Sequence, residues 1–353
     1  MPKNIIQLIV FSLLSSGLFA QDQSLLMNLK GHQYPIQSLA FSPDEQYLVS
    51  GGGSGAKGEL ILWDIKTGQM YYKYNDFWGP VEQVKFSSDG RYFLAVAKEK
   101  LFMYEVRNGQ PATSFFTQSI RDIAFSQKSN LVLAQTQSDQ ALLIDPNNWG
   151  QARKRFMDPN LFIEDIAFSP DGTRVCLAGY NPRTGKGKVT LWDTRTGYLL
   201  YNLGDLGAAH PESVKSVDFD PNGRYLVSGA QDGTFKIWEL SQGRLHKDLS
   251  QPYSNIEELA YSPDGNYIAT VGQNKTLQLW NSNSGEKFAT HRGHFKVLSA
   301  LAYSGKGKFL ASGGDDLTVK LWRAIPFKQI IEQYVQDKVR TWQKRGKFEK
   351  TAD

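Results

Sequence analysis

The chain has 353 residues, 41% of them hydrophobic, with 40 Lys+Arg against 35 Asp+Glu and a single cysteine. That much apolar material supplies a core and excludes global disorder. A net charge of +5 on a mixed-sign surface gives no support to nucleic-acid binding, and one cysteine, Cys176, excludes both an intramolecular disulfide framework and a cysteine-based zinc site.

At the N-terminus, Lys3 is the only charged side chain in residues 1–20, and an apolar run from Ile5 to Phe19 ends at Ala20 before Gln21-Asp22-Gln23. A basic start, a short apolar centre and a small residue at the cut predict a signal peptide over residues 1–20, hence a periplasmic or secreted protein. The run is short for a membrane span and no stop-transfer pattern follows, so no stable span is expected after cleavage; an uncleaved N-terminal anchor is the competing reading. Cys176 lies in the apolar stretch Arg174-Val175-Cys176-Leu177-Ala178 and reads as a buried small core residue.

From residue 24 the chain repeats. Seven segments each show an apolar alternating strand, a tight turn, a second strand, and a third strand ending in an aromatic or apolar residue and a polar one. The turns read Ser42-Pro43-Asp44-Glu45, Ser87-Ser88-Asp89-Gly90, Ser169-Pro170-Asp171-Gly172, Asp220-Pro221-Asn222-Gly223 and Ser262-Pro263-Asp264-Gly265, with degraded versions at Ser126–Ser129 and Ser304–Gly307. Pro presets φ, Asp bonds the turn backbone and Gly supplies positive φ, so these close hairpins. The third strands end at Trp63-Asp64, Tyr104-Glu105, Ile144-Asp145, Trp192-Asp193, Trp238-Glu239, Trp280-Asn281 and Trp322-Arg323, at spacings of 41, 40, 48, 46, 42 and 42. That is the period of a four-stranded propeller blade, and it predicts an all-β, seven-bladed β-propeller over residues 24–326.

On these residues the chain resembles the WD-repeat family of β-propellers over roughly residues 24–323. The resemblance implies a hydrogen-bonded His–Ser/Thr–Asp–Trp tetrad in each regular blade. His210, Ser228, Asp232 and Trp238 match it, as do His294, Ser312, Asp316 and Trp322. Blade one has His32, Ser50 and Trp63, with Lys57 in the Asp slot. Blade six keeps Thr270 and Trp280, with Asn274 in the Asp slot and Pro252 in the His slot. Blades two and three carry Phe77 and Phe116 in their His slots, so apolar packing is expected to replace the tetrad there. The phase of the repeat also places residues 24–29 as the outer strand of the last blade, which removes an open sheet edge.

No constellation of catalytic residues stands out, and no cofactor or metal site is expected. His291 and His294 lack a third ligand. The run Gly51–Gly58 lacks the residues of a phosphate loop and lies between two strands. Carboxylates are numerous, but none stands out as a spaced pair above the turn aspartates.

Family geometry puts two kinds of loop on one face, called upper here: those between second and third strands, and those leading into the next blade. Two of the former are enlarged, Gly-rich and basic: residues 51–59 with Lys57, and residues 180–188 with Arg183 and Lys186. The latter carry Tyr34, Trp78, Phe162, Tyr253 and Phe295. These aromatics either form a recognition rim, fitted to an acidic or aromatic-bearing peptide, or pack between neighbouring loops. The basic run Trp149–Phe156 falls on the outer strand of blade three, where charges block edge-to-edge pairing. After Pro326 the period changes, and Phe327, Ile330, Ile331, Tyr334, Val335, Val339 and Trp342 predict an amphipathic helix.

The expected function is a non-catalytic scaffold of the cell envelope, binding a protein or peptide through the upper face. The leader on a WD-repeat chain points to a bacterial, secreted or periplasmic type. The alternatives are a propeller enzyme with its site in the channel, or the regulatory propeller of a longer catalytic chain; channel-lining acids beyond the tetrads would favour the former.

Overall fold

The computed structural model describes residues 24–324 apart from 113–118, 130, 147, 206, 208 and 251–253, with the backbone alone at 148–150. The expected leader, the C-terminal helix, Phe116, Pro252 and Tyr253 lie outside the described residues.

The strands follow the repeat. After β1 (Leu25–Lys30), blade one holds β2 (Ile36–Phe41), β3 (Tyr47–Ser54), β4 (Lys57–Asp64) and β5 (Met70–Phe77). Blade two holds β6 (Val81–Phe86), β7 (Tyr92–Ala97), β8 (Lys100–Glu105) and β9 (Pro111–Ala112). Blade three holds β10 (Ile120–Phe125), β11 (Val132–Thr136), β12 (Ala141–Asp145) and β13 (Asn148–Phe156). Blade four holds β14 (Phe162–Phe168), β15 (Arg174–Tyr180), β16 (Gly187–Asp193) and β17 (Leu199–Leu203). Blade five holds β18 (Val214–Phe219), β19 (Tyr225–Ala230), β20 (Thr234–Glu239) and β21 (Arg244–Ser250). Blade six holds β22 (Ile256–Tyr261), β23 (Tyr267–Gly272), β24 (Leu277–Asn281) and β25 (Lys287–His291). Blade seven holds β26 (Leu298–Tyr303), β27 (Phe309–Gly314) and β28 (Thr318–Arg323), and its fourth, outer strand is β1. The described residues thus form seven four-stranded antiparallel sheets, a seven-bladed propeller. The first strand of each blade adjoins the first strand of the next all the way round, so these seven strands surround the central channel.

Blades stack face to face, and the burial of each strand follows. The middle strand β7 buries five of its six residues, whereas the outer strand β21 alternates exposed and half-buried positions. The apolar clusters therefore lie between neighbouring blades. Leu48 and Ile61 of blade one pack with Ala311 and Val319 of blade seven, and Phe235 and Ile237 of blade five pack with Ile268 and Trp280 of blade six. In blade two, buried Phe77 meets Phe102 edge-on at 5.1 Å and Tyr104 stacks on Phe93 at 5.2 Å, so rings fill the place of a tetrad. Cys176 is fully buried.

The Ser-Pro-Asp-Gly turns gather on the lower face. Ser42, Ser169 and Ser262 donate from Oγ to the Asp two residues on, at 2.5–2.6 Å. Each turn also rests on its neighbour, with Gly90 facing Pro43, Gly223 facing Pro170 and Gly265 facing Pro221.

At the other end of the inner strands, every blade shows the same irregularity. The register shifts between Ile36/Ser38, Val81/Gln83, Ile120/Asp122, Ile163/Asp165, Val214/Ser216, Ile256/Glu258 and Leu298/Ala300. A bulge of this kind leaves one residue unpaired and re-aims its neighbours. The unpaired residues are Gln37, Glu82, Arg121, Glu164, Lys215, Glu257 and Ser299, which puts a ring of polar side chains at the upper mouth of the channel.

Candidate functional site

The upper face is anchored by the tetrads. In blade seven, Trp322 Nε1–H donates to Ser312 Oγ (2.8 Å), Ser312 Oγ lies 2.8 Å from His294 Nε2, and His294 Nδ1 donates to Asp316 Oδ2 (2.9 Å). Burial lowers the His294 pKa, so the ring is neutral and accepts from Ser312 at Nε2. Burial works to raise the Asp316 carboxyl, but the bonds from His294 and Thr318 prevail and hold it at about 2. Blade five differs in one link. His210 Nδ1 reaches Thr234 Oγ1 (2.8 Å), and Thr234 passes the bond to Asp232 Oδ1 (2.6 Å). With a hydroxyl in place of a carboxylate beside it, buried His210 falls to about 3, the Lys236 charge adding to the effect of burial.

Blade one corrects the sequence reading. The acid beneath His32 is Glu59, not Lys57. The enlarged hairpin extends β3 and β4, so Lys57 pairs with Ser54 at the exposed end of the ladder and the buried position falls two residues later, where Glu59 faces Gly52. Glu59 Oε1 accepts from His32 Nδ1 (2.9 Å), while Ser50 Oγ receives Trp63 Nε1–H (2.7 Å) and lies 2.6 Å from His32 Nε2. Burial raises the Glu59 pKa, but His32, the Tyr34 amide and Lys73 outweigh it and hold the carboxyl at about 2. In blade six, Trp280 Nε1–H donates to Thr270 Oγ1 (3.0 Å).

The tetrad acids also fix the rim. Glu59 Oε1 accepts the backbone N–H groups of Gln33 (2.6 Å) and Tyr34 (2.9 Å), and Asp316 Oδ2 accepts that of Phe295 (3.3 Å). The aromatics themselves divide. Trp78 is 79% exposed and Phe295 68% exposed. Tyr34 is half-buried, and Phe162 packs on Tyr180 at 5.0 Å with the Arg121 guanidinium 5.3 Å above its ring. Lys57, Arg183 and Lys186 are all exposed. The loop carrying the last two is a tight turn, closed by Asn181 N–H to Lys186 O and Gly185 N–H to Asn181 O, both 2.8 Å.

The channel holds what sequence reasoning missed. Beside the bulges, Asp165 Oδ2 accepts Val217 N–H (2.7 Å) and Glu258 Oε2 accepts Leu301 N–H (2.5 Å), while Asp218 Oδ2 accepts Tyr261 N–H (2.8 Å). Ser38 and Ser216 do the same for Val84 and Leu259 with hydroxyls. Inner strands of neighbouring blades share no ladder, so these side chains are the ties between them. Asp122 and Asp165 hydrogen-bond to each other, and Lys85 is the cation that acts on all four carboxyls. Removal from water raises each: Asp218 to about 7, Glu258 to about 8, and Asp122 upward as the member of its pair that keeps a proton beside the Asp165 charge. The signal was present in the repeats Ile120-Arg121-Asp122-Ile123-Ala124-Phe125 and Ile163-Glu164-Asp165-Ile166-Ala167-Phe168, which put an acid at the same inner position of adjacent blades.

The WD domain, G-beta repeat, family matches residues 23–64, 202–239, 243–281 and 285–323. These four stretches of the propeller match WD40 repeats. Residues 65–201, outside these matches, contain blade two, where rings fill the place of the tetrad, together with blade three and most of blade four. WD repeat-containing protein 1 of Xenopus tropicalis is 25% identical over 217 residues, 60% of this chain and 34% of that protein. Actin-interacting protein 1 of Drosophila melanogaster is 23% identical over 222 residues, 61% of this chain and 35% of that protein. Eukaryotic translation initiation factor 3 subunit I of Candida albicans is 25% identical over 226 residues, 63% of this chain and 55% of that protein. The match to the first of these WD40 relatives thus spans about a third of its length. All three are eukaryotic and give no support to a bacterial, exported type.

Proposed function

We propose that the protein is a non-catalytic interaction scaffold whose upper-face loops bind a protein or peptide partner. The observation that carries this reading is the exposure of Trp78 and Phe295, 79% and 68%, in the loops that lead into blades two and seven on the upper face. Rigid aromatics left in water at a rim supply contact area at little entropic cost. Lys57, Arg183 and Lys186 flank that rim and are proposed as outer contacts. Two of the similar proteins are named for association with actin and for membership of an initiation factor, which agrees with a scaffold role. A channel enzyme would need carboxylates free to touch substrate, and Asp165, Asp218 and Glu258 are instead engaged with the backbone of the next blade. The periplasmic or secreted setting is part of the proposal and rests on residues 1–20 alone.

The test is affinity capture from a native extract with wild-type protein and with the Trp78→Ala, Phe295→Ala double variant. We expect the variant to melt as wild type does and to lose the partner. Equal capture by both proteins would overturn the upper-face reading.

A further inference from the structure

The partner's chemistry can be read from the walls around Trp78. Its ring borders a cavity of about 330 Å³, and Glu82 and Glu99 line both that cavity and an adjoining one of about 530 Å³ at the channel mouth. The larger cavity adds Asp122 and Glu164, against one cation, Arg121.

Two of the nearby cations are already engaged. Arg121 lies over the Phe162 ring, and Lys215 holds Glu164 at 2.9 Å. Lys98 touches the smaller cavity, with its Cβ and Cγ directed at Gly79. Glu99 receives one neutral bond, from Gln137 Nε2 at 2.5 Å. Burial and the Glu99 charge push the Glu82 carboxyl up against the pull of Arg121. Two like charges therefore share a recess beside an exposed indole. A cation placed there relieves their repulsion, gains charge-assisted hydrogen bonds and lies against an aromatic face. An anion meets the carboxylates of Glu82, Glu99 and Glu164 at the mouth. The aromatic rim and the basic loops at Lys57 and Arg183 make an acidic or aromatic-bearing peptide the sequence-based expectation; Glu82 and Glu164, re-aimed by the bulges, favour a cationic one.

We propose that the upper face recognises a Lys- or Arg-bearing peptide segment, with the cationic head between Glu82 and Glu99 and the aliphatic stem against Trp78. The proposal rests on the scaffold reading above and names the partner for the same face.

A random peptide library displayed on phage and selected on the full chain tests it, with recovered peptides then titrated against purified variants. We expect enrichment of Lys and Arg. We also expect at least tenfold weaker binding to the Glu82→Gln, Glu99→Gln variant and to Trp78→Ala, both melting as wild type, and weaker binding as salt rises. Enrichment of acidic peptides that need Trp78 but not the two glutamates would overturn the cation assignment and leave the upper-face scaffold standing. Peptides that bind all variants equally, or no enrichment at all, would overturn both.

Discussion

Glu59 ties sequence, stability and site together in one side chain. Its Oε1 takes bonds from His32 and from the backbone of Gln33 and Tyr34, so its loss strands three donors in a buried place. Glu59→Ala is expected to cost about 1–3 kcal/mol in urea unfolding, and Glu59→Gln, which keeps an acceptor, less. Lys57→Ala is expected to stay within about 0.5 kcal/mol, since the residue is exposed at a hairpin end. The tetrad histidines and tryptophans were legible because they recur at fixed spacing; Glu59 was not, because the enlarged hairpin moves the acid out of the turn and into the strand. Protonation gives a second residue-scale expectation. Glu59 and Asp316 have folded pKa values lowered to about 2, so their stabilisation is present above the ordinary carboxylate range and is lost as pH falls through 2. Asp218 and Glu258 are raised to about 7 and about 8, so the folded state takes up protons there and their contribution is lost as pH rises through those values. Urea midpoints measured across pH should be highest in mildly acidic solution, and Glu258→Gln, which keeps an acceptor for Leu301, should flatten the alkaline fall.

At the scale of elements, the hairpin between β7 and β8 stands out. Its two turn residues, Lys98 and Glu99, have φ of 47° and 64°, a conformation that suits Asn-Gly far better than two long side chains. Lys98→Asn with Glu99→Gly is expected to gain about 1 kcal/mol in denaturant unfolding. On the reading proposed here the same change weakens binding of a basic peptide, because it removes one of the two carboxylates. The blades and their turns were readable from Pro, Asp and Gly at repeated positions. The bulges were not. A bulge is a mismatch between two strands and leaves no mark on the alternation of either alone, so the residues it re-aims read as ordinary polar positions. Comparing the inner strands with one another, rather than each with its own hairpin partner, exposes the polar third position shared by Ser38, Gln83, Asp122, Asp165, Ser216 and Glu258.

At the scale of the molecule, the ring is fastened by β1, whose Leu25, Met27 and Leu29 face Trp322, Leu321 and Val319 of β28. Deleting residues 24–30 leaves β28 as an open edge and separates blade seven from its outer wall. The expected result is a broadened, lower-temperature melt in place of one sharp transition; an unchanged melt would show that the inner-strand ties alone hold the circle. The pairing also sets a timetable. Asn28 and Lys320 bond across 292 positions of sequence, so β1 leaves the ribosome long before its partner strand. At about 5–20 residues per second that wait is roughly 15–60 s. For all of it the chain carries an apolar strand with nothing to pair against. A polypeptide made this way stays threadable until β28 has been made, and whatever escorts the nascent chain has β1 to shield until then.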